Sequence, residues 1–344
     1  MIELAVDSLG MVQAVFGLAD QLAEAADRSR TVEGLPDHDD IENVVVLGMG
    51  GSGVAGDVMA AVAAPFMAVP VIVSKSYGTP AFVGRGSLVF AVSFSGNTEE
   101  TLEAVTEAYE DGARIVAVTS GGELGRLAGE WGVPRIDVPT AIPQPRAGIG
   151  AMSIPPLMVL EQVGLFPGAS RWVDLAVKQL RSRSEELAGE SSIAATIAKR
   201  IGRTIPLVYG TDGIGAAAAL RWKNQVNENA KCPAFTAVYP ELCHNELAGW
   251  GQHGDVTRQA ITLVNLRHDE EHPQVSRRVE LVSLGLEEVV AAICEVRASG
   301  EGGLAQLFDL IFIGDVVSLE MAGSEGIDPG PIPVLDDIKR QLRS

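Results

Sequence analysis

The chain has 344 residues, 47% of them hydrophobic, and its 26 Lys and Arg against 45 Asp and Glu give a formal net charge of −19. That length supports two domains of ordinary size and that hydrophobic content excludes extensive disorder, while the negative charge argues against nucleic acid or an anionic membrane surface as a partner. An anionic small molecule must therefore be captured locally, by helix termini and a few placed cations, at separations within the screening length of about 8 Å at physiological salt.

The segment Met1 to Arg30 carries acidic residues and apolar positions at helical spacing, with no secretory leader and no apolar run able to span a bilayer, and is expected to be a packing helix. Apolar runs then alternate with helical patterns: Val44 to Leu47, Val69 to Val73, Leu88 to Val92, Arg114 to Thr119 and Arg135 to Val138 read as strands. Such alternation predicts an α/β fold, with a parallel sheet covered on both faces. Val54-Ala55-Gly56-Asp57 leads into an alanine-rich helix after the first strand, and Glu99 to Tyr109 keeps helical spacing after the third. A connecting region starts near Pro139, includes Pro143, Pro145, Pro155 and Pro156, and is followed by the helical pattern Trp172 to Leu187. The alternation restarts at Ile205 to Tyr209, passes through Gly210-Thr211-Asp212-Gly213-Ile214-Gly215 into a second alanine-rich helix, and resumes at Ala260 to Leu266 and Glu288 to Val296. The expected organisation is a first domain over 1–150, a linker and connecting helix over 151–200, and a second domain over 201–344 that degenerately repeats the first.

Two loops concentrate the chemistry of the first half: Gly48-Met49-Gly50-Gly51-Ser52-Gly53 and Ser93-Phe94-Ser95-Gly96-Asn97-Thr98-Glu99-Glu100-Thr101. Each ends a strand and opens a helix, so backbone N–H groups and hydroxyls converge where the helix dipole favours an anion. Gly48, Gly50 and Gly53 also match G-x-G-x-x-G, but the following strand ends in Ser74-Lys75 where a dinucleotide site needs an acid for the ribose. A phosphate monoester fits better, held by Ser52, Ser93, Ser95 and Thr98, with Gly50, Gly51 and Gly53 permitting close backbone approach. Two ordinary glycine-rich turns are the bland alternative. The turn at Gly210 to Gly215 has no serine at the position of Ser52, and no S-x-S-G-N-T follows it, so one half alone is expected to hold phosphate.

Cys232, Cys243 and Cys294 are odd in number and show no C-x-x-C spacing, which points to a reducing cytoplasmic setting. His268 and His272 stand four apart without the H-E-x-x-H pattern; the segment reads as a solvated turn, and no metal site is expected.

Four further segments carry unusual polar residues: Pro145-Arg146-Ala147-Gly148, Lys223 to Lys231 with its N-E-N-A-K ending, Glu241-Leu242-Cys243-His244-Asn245-Glu246, and Asp336-Asp337-Ile338-Lys339-Arg340. With the two loops, over nearly the whole chain, they resemble the sugar isomerase (SIS) superfamily and its bifunctional phosphoglucose/phosphomannose isomerase branch. The resemblance implies two doubly wound SIS domains with parallel, flavodoxin-like sheets. It implies that Glu228 is the base that moves a proton between C2 and C1 through an enediolate, for which burial would have to raise its pKa. His244 would open the sugar ring from the partner subunit of a homodimer, Lys339 on the C-terminal helix would complete that ring-opening pair, and Arg146 would stabilise the enediolate. The bland alternatives are a solvated Glu228 paired with Lys231, a structural histidine, and surface cations; Arg340 rivals Lys339. Phe94 stands where the family often has tyrosine, and Gly148 and Gly150 make the stretch after Arg146 richer in glycine than the branch usually is.

The expected activity is metal-independent interconversion of glucose 6-phosphate, mannose 6-phosphate and fructose 6-phosphate. No cofactor is implied, because the substrate supplies and receives its own proton and electrons. A non-catalytic sugar-phosphate-binding regulator is the alternative from another class; it would need the phosphate loops without Glu228, His244 and Lys339 together. A dinucleotide-dependent dehydrogenase would rest on Gly48 to Gly53 alone.

Overall fold

The computed structural model describes residues 2–189 and 191–342. The chain divides into two compact units, one of Gly17–Arg183 with Ala298–Asp309, the other of the described parts of Met1–Phe16, Ser184–Arg297 and Leu310–Ser344. The short helix α1 (Met11–Phe16) belongs to the second unit, so the first opens with α2 (Leu18–Arg28).

The first unit is built on five parallel strands, β1 (Asn43–Leu47), β2 (Val71–Ser74), β3 (Ser87–Ser93), β4 (Arg114–Thr119) and β5 (Arg135–Asp137), in the order β2-β1-β3-β4-β5. This is the flavodoxin-like order. Helix α3 (Gly50–Val62) joins β1 to β2, α4 (Glu99–Glu110) joins β3 to β4, and α5 (Gly122–Trp131) joins β4 to β5. Every residue of β3 is buried, as expected of a central parallel strand with both faces covered. On α4, Thr101, Ala104, Val105 and Ala108 form the buried stripe, and Val45, Leu47, Val89, Ala91, Ile115 and Ala117 supply the alternating sheet positions of the same core.

Helix α6 (Ile149–Gln162) corrects the reading of the proline-rich stretch as a connecting region: Pro155 and Pro156 lie inside it, and every residue from Ile149 to Leu160 is buried. The prolines cannot donate to the carbonyls one turn back, yet packing of α6 on α2 and α3 outweighs that local loss. Helix α7 (Ala169–Leu187) follows and contributes residues to both units.

The second unit continues with α8 (Ile193–Ile201), whose first turn is capped by Ser192, the Ala195 N–H donating to its hydroxyl at 3.2 Å. Its sheet has four parallel strands, β6 (Ile205–Thr211), β7 (Phe235–Tyr239), β8 (Ile261–Arg267) and β9 (Ala292–Arg297), in the order β7-β6-β8-β9. That is the first sheet's order without its last strand, so the repeat read from the sequence is a repeat of topology. Helix α9 (Ile214–Asn229) joins β6 to β7, α10 (Gly254–Ala260) precedes β8, and α11 (Pro273–Leu286) joins β8 to β9. Helix α12 (Gly303–Ser324) has residues in both units, and α13 (Pro333–Leu342) ends the described chain. Strand β7 escaped the sequence reading because it is a short edge strand, only partly buried along most of its length. The strand expected from Glu288 begins instead at Ala292, after the turn that closes α11. Among the described residues no helix is long and apolar enough to cross a membrane.

Candidate active site

In the first sheet the chain order reverses between β1 and β3, so α3 and α4 leave on opposite faces and open a crevice at the carboxyl ends of these strands. Both glycine- and hydroxyl-rich loops lie there. Gly50 opens α3 with φ +54, a left-handed conformation that glycine adopts without strain. The first turn of α3 contains no acidic residue, whereas that of α4 contains Glu99 and Glu100. The dipole of α3 is therefore the one left for an external anion.

Each hydroxyl of this crevice is hydrogen-bonded within the two loops or to α6. Ser52, 5% exposed, accepts the Phe94 N–H at 3.2 Å and donates to Met152 Sδ at 3.3 Å, tying the loop after β1 to the loop after β3. A thioether is a weak acceptor, so the Ser52 proton can pass to a phosphate oxygen at little cost. Ser93 is fully buried and its Oγ lies 2.9 Å from Thr98 Oγ1. Thr98 stands at the N-cap of α4 but makes no capping bond within that helix. Ser95 is exposed, and its hydroxyl accepts the Asn97 N–H at 3.2 Å. Ser95 and Thr98 are thus the more open hydroxyls of the crevice, while Ser52 and Ser93 are buried within it.

Arg146 joins this set. It lies in the 3-10 turn Pro145–Gly148, is 2% exposed, and packs so tightly on the first turn of α3 that a Cβ at Gly51 would lie 3.2 Å from its Cα. On the other flank, a Cβ at Gly53 would lie 3.1 Å from Lys75 Cε. Lys75 follows the last residue of β2, and its Nζ donates to Asp57 Oδ2 on α3 at 2.5 Å. The structure therefore gathers Gly50, Gly51, Ser52, Ser93, Ser95, Thr98 and Arg146 at one sheet edge, and adds Lys75, which the sequence showed only as the absence of a ribose acid.

The matching crevice of the second sheet, between β6 and β8, is filled by the chain itself. Thr211 Oγ1 lies 2.6 Å from His268 Nε2, the Gly213 N–H donates to Asp212 Oδ1 at 2.9 Å, and a Cβ at Gly215 would sit 2.7 Å from the Thr211 hydroxyl. His268 is 4% exposed, which corrects its reading as part of a solvated turn. Arg267 and Glu271 account for the burial: they form a buried ion pair at 2.7 Å, and Glu271 also accepts the His268 N–H at 3.0 Å. Burial pushes the His268 imidazole below its ordinary pKa.

Glu228 stands half-buried in the last turn of α9. That helix is fixed to α12 by the buried Arg221–Asp315 pair at 2.8 Å, by Trp222 Nε1 donating to the Leu310 carbonyl at 2.7 Å, and by Asn229 Nδ2 donating to Ser318 Oγ at 2.9 Å. Lys231, with φ +54, turns its ammonium back onto the Glu228 carbonyl at 2.5 Å, a cation at the negative end of the helix. His244 is exposed at the end of the 3-10 turn Glu241–His244 that follows β7. The next turn is tied to β6 by a hydrogen bond from the Tyr209 hydroxyl to Glu246. Because α9 runs antiparallel to the strands it joins, Glu228 ends near the amino edge of the second sheet and His244 follows the carboxyl edge. The five residues of β7 set them apart by about 16 Å along the strand direction. Lys339 is exposed on α13, a helix with no buried residue, whose apolar side chains Val334, Leu335, Ile338 and Leu342 are all exposed.

Comparison with known proteins agrees with this geometry. Residues 40–130 match the SIS domain, and residues 190–342 match the bacterial phospho-glucose isomerase C-terminal SIS domain. A bifunctional phosphoglucose/phosphomannose isomerase of Caldicellulosiruptor bescii is 33% identical over 336 residues, 96% of this chain and 98% of that protein. One from Aquifex aeolicus is 33% identical over 303 residues, covering 88% and 91%. The chain belongs to the bifunctional phosphoglucose/phosphomannose isomerase family. The fold of these SIS proteins recurs at much lower identity in a putative phosphosugar isomerase from Silicibacter pomeroyi, with TM-score 0.70, 18% identity and coverage of 93% and 99%. It recurs again in the C-terminal domain of glucosamine-fructose-6-phosphate aminotransferase from Francisella tularensis, with TM-score 0.68, 15% identity and coverage of 93% and 98%.

Proposed function

We propose that the protein is a sugar-phosphate isomerase that interconverts glucose 6-phosphate and mannose 6-phosphate with fructose 6-phosphate through an enediolate. The observation that carries this reading is the crevice between β1 and β3, where the acid-free first turn of α3, the exposed Ser95 and half-buried Thr98 hydroxyls, and buried Arg146 converge in a family of phosphoglucose/phosphomannose isomerases. The phosphate binds there. Glu228 carries the proton between C2 and C1, Arg146 stabilises the enediolate oxygens, and His244 with Lys339 exchanges protons with the ring oxygen and the anomeric hydroxyl. The separation of Glu228 from His244 across the second sheet supports a site to which two copies of the chain contribute, hence a homodimer. Three free cysteines, Cys232, Cys243 and Cys294, suit a reducing cytoplasm.

A second substrate class comes from one relative: a D-glucosamine-6-phosphate 4-epimerase of Sulfolobus acidocaldarius is 34% identical over 210 residues, 60% of this chain. A single panel separates the readings. Purified protein without added metal is given glucose 6-phosphate, mannose 6-phosphate and glucosamine 6-phosphate, and products are resolved by NMR. Fructose 6-phosphate from both of the first two supports the bifunctional assignment; conversion of the amino sugar alone, or of none, overturns it.

A further inference from the structure

We propose that Lys75 is a phosphate-binding cation of the crevice, held beside it by Asp57 and drawn onto the phosphate when substrate arrives. The inference rests on the sugar-phosphate reading above and adds a residue to it. Lys75 follows the carboxyl end of β2, next to the switch point, and the Gly48 N–H donates to the Ser74 carbonyl at 3.3 Å, so the lysine starts level with the phosphate loop. Its stem crosses Gly53, the last residue of that loop, within 3.1 Å of where a Cβ would stand. The ammonium rests on Asp57, one turn further along α3 from Gly53. The Lys75 side chain keeps 33% exposure and the Asp57 side chain 19%, so the cation can rotate on its four-carbon stem without leaving water.

Two features separate this arrangement from a plain structural ion pair. The backbone of Arg146 packs on Gly51 and the stem of Lys75 on Gly53, so two cationic residues start beside the loop that opens α3 in a chain of net charge −19. Asp57 is an unequal partner. Burial raises its carboxyl above the ordinary range, against the opposing pull of Lys75, so once the ammonium swings away the carboxyl takes up a proton more readily than a solvated one would. A phosphate dianion on α3 offers two charges and a helix dipole in exchange for one partly desolvated carboxylate.

The test measures binding of a hexitol 6-phosphate, which has no carbonyl and cannot turn over, to the full-length protein by calorimetry at low and high salt. Lys75→Met should weaken binding about 3- to 50-fold, the range for one charge acting across about 7 Å between bulk water and a protein surface, and Lys75→Arg should restore most of it. Asp57→Asn should tighten binding by a few fold, because it frees the lysine and removes a nearby negative charge. High salt should shrink both effects. A structural clasp predicts the opposite pattern, with Lys75→Met and Asp57→Asn weakening binding alike, and that result would overturn the proposal, as would unchanged binding by Lys75→Met. Should Lys75→Met alone not fold, comparing Asp57→Asn with the double variant Asp57→Asn/Lys75→Met removes the same cation with no carboxylate stranded. Absence of any binding by the wild-type protein would sink the sugar-phosphate reading itself, whereas wild-type binding indifferent to Lys75 sinks only this inference.

Discussion

His268 shows how much a single residue's chemistry depends on what packs around it. In the sequence it sits among Arg267, Asp269, Glu270, Glu271 and His272, a run that reads as solvated. Nothing local announces that Arg267 and Glu271 pair beneath it, or that Thr211, 57 residues earlier, meets its ring. Burial disfavours the imidazolium and lowers the folded-state pKa beneath the ordinary 6.5. The stability this neutral histidine contributes is therefore fully present above pH 6.5 and is lost as the pH falls through the lower folded-state value. In urea titrations between pH 7.5 and 5, wild-type protein should lose stability more steeply than His268→Gln, which keeps a hydrogen-bonding side chain for Thr211 but cannot take up the proton. Parallel pH profiles for the two proteins would contradict the burial argument. The placement of the crevice serines and threonine, by contrast, was legible because a strand-to-helix turn is set by local sequence. Lys75 was not, since its place beside Gly53 comes from pairing of β1 with β2.

At the scale of elements, the buried parallel strands were readable as continuous apolar runs, and Arg114–Thr119 is the clearest of them. Failures fell where tertiary packing outweighs local preference. Strand β7 is a half-exposed edge with little hydrophobic signal, and α6 carries two prolines that signal a break in any local reading. The loop from Ser93 to Thr98 yields a prediction of its own kind, because its hydroxyls divide by burial. Ser95→Ala combined with Thr98→Ala should weaken hexitol 6-phosphate binding by about 10-fold or more, given that a hydrogen bond to a charged group contributes about 1.5–3 kcal/mol. Ser95→Ala alone should shift the thermal midpoint little, since Ser95 is exposed, whereas the Thr98 change also strips the buried Ser93 hydroxyl of its partner. Ser52→Ala should lower the midpoint as well, for it removes the acceptor that joins the Phe94 N–H to the loop after β1. Calorimetry and thermal unfolding on the same samples separate the two effects; equal loss of stability in Ser95→Ala and Ser52→Ala would refute the division.

At the scale of the whole molecule, the central question for the proposed mechanism is how Glu228 and His244 would serve one substrate. Glu228 closes α9 near the amino edge of the second sheet and His244 follows β7 at the opposite edge, so about 16 Å of strand separates them within one chain. In the proposed reaction the proton taken from C2 and the proton delivered to the ring oxygen would act on atoms only a few bonds apart, so this separation favours a site shared by two copies of the chain. The proposed homodimer would resolve the difficulty, because a two-fold axis would let each chain donate His244 to its neighbour's site. Glu228→Gln should lose at least about 10²-fold in turnover while retaining hexitol 6-phosphate binding, as expected when a positioned base is removed without changing shape. His244→Ala should be slow on the cyclic sugar. Mixing the two inactive proteins under conditions of subunit exchange, verified with differential tags, should restore activity, since each hybrid dimer holds one site with Glu228 from one chain and His244 from the other. Recovery cannot exceed half of wild-type activity per hybrid, as the second site carries both substitutions. Purified hybrids with no recovered activity would show that both residues work within one chain's site, and the separation across β7 would then have to be bridged by a rearrangement of the turn that carries His244.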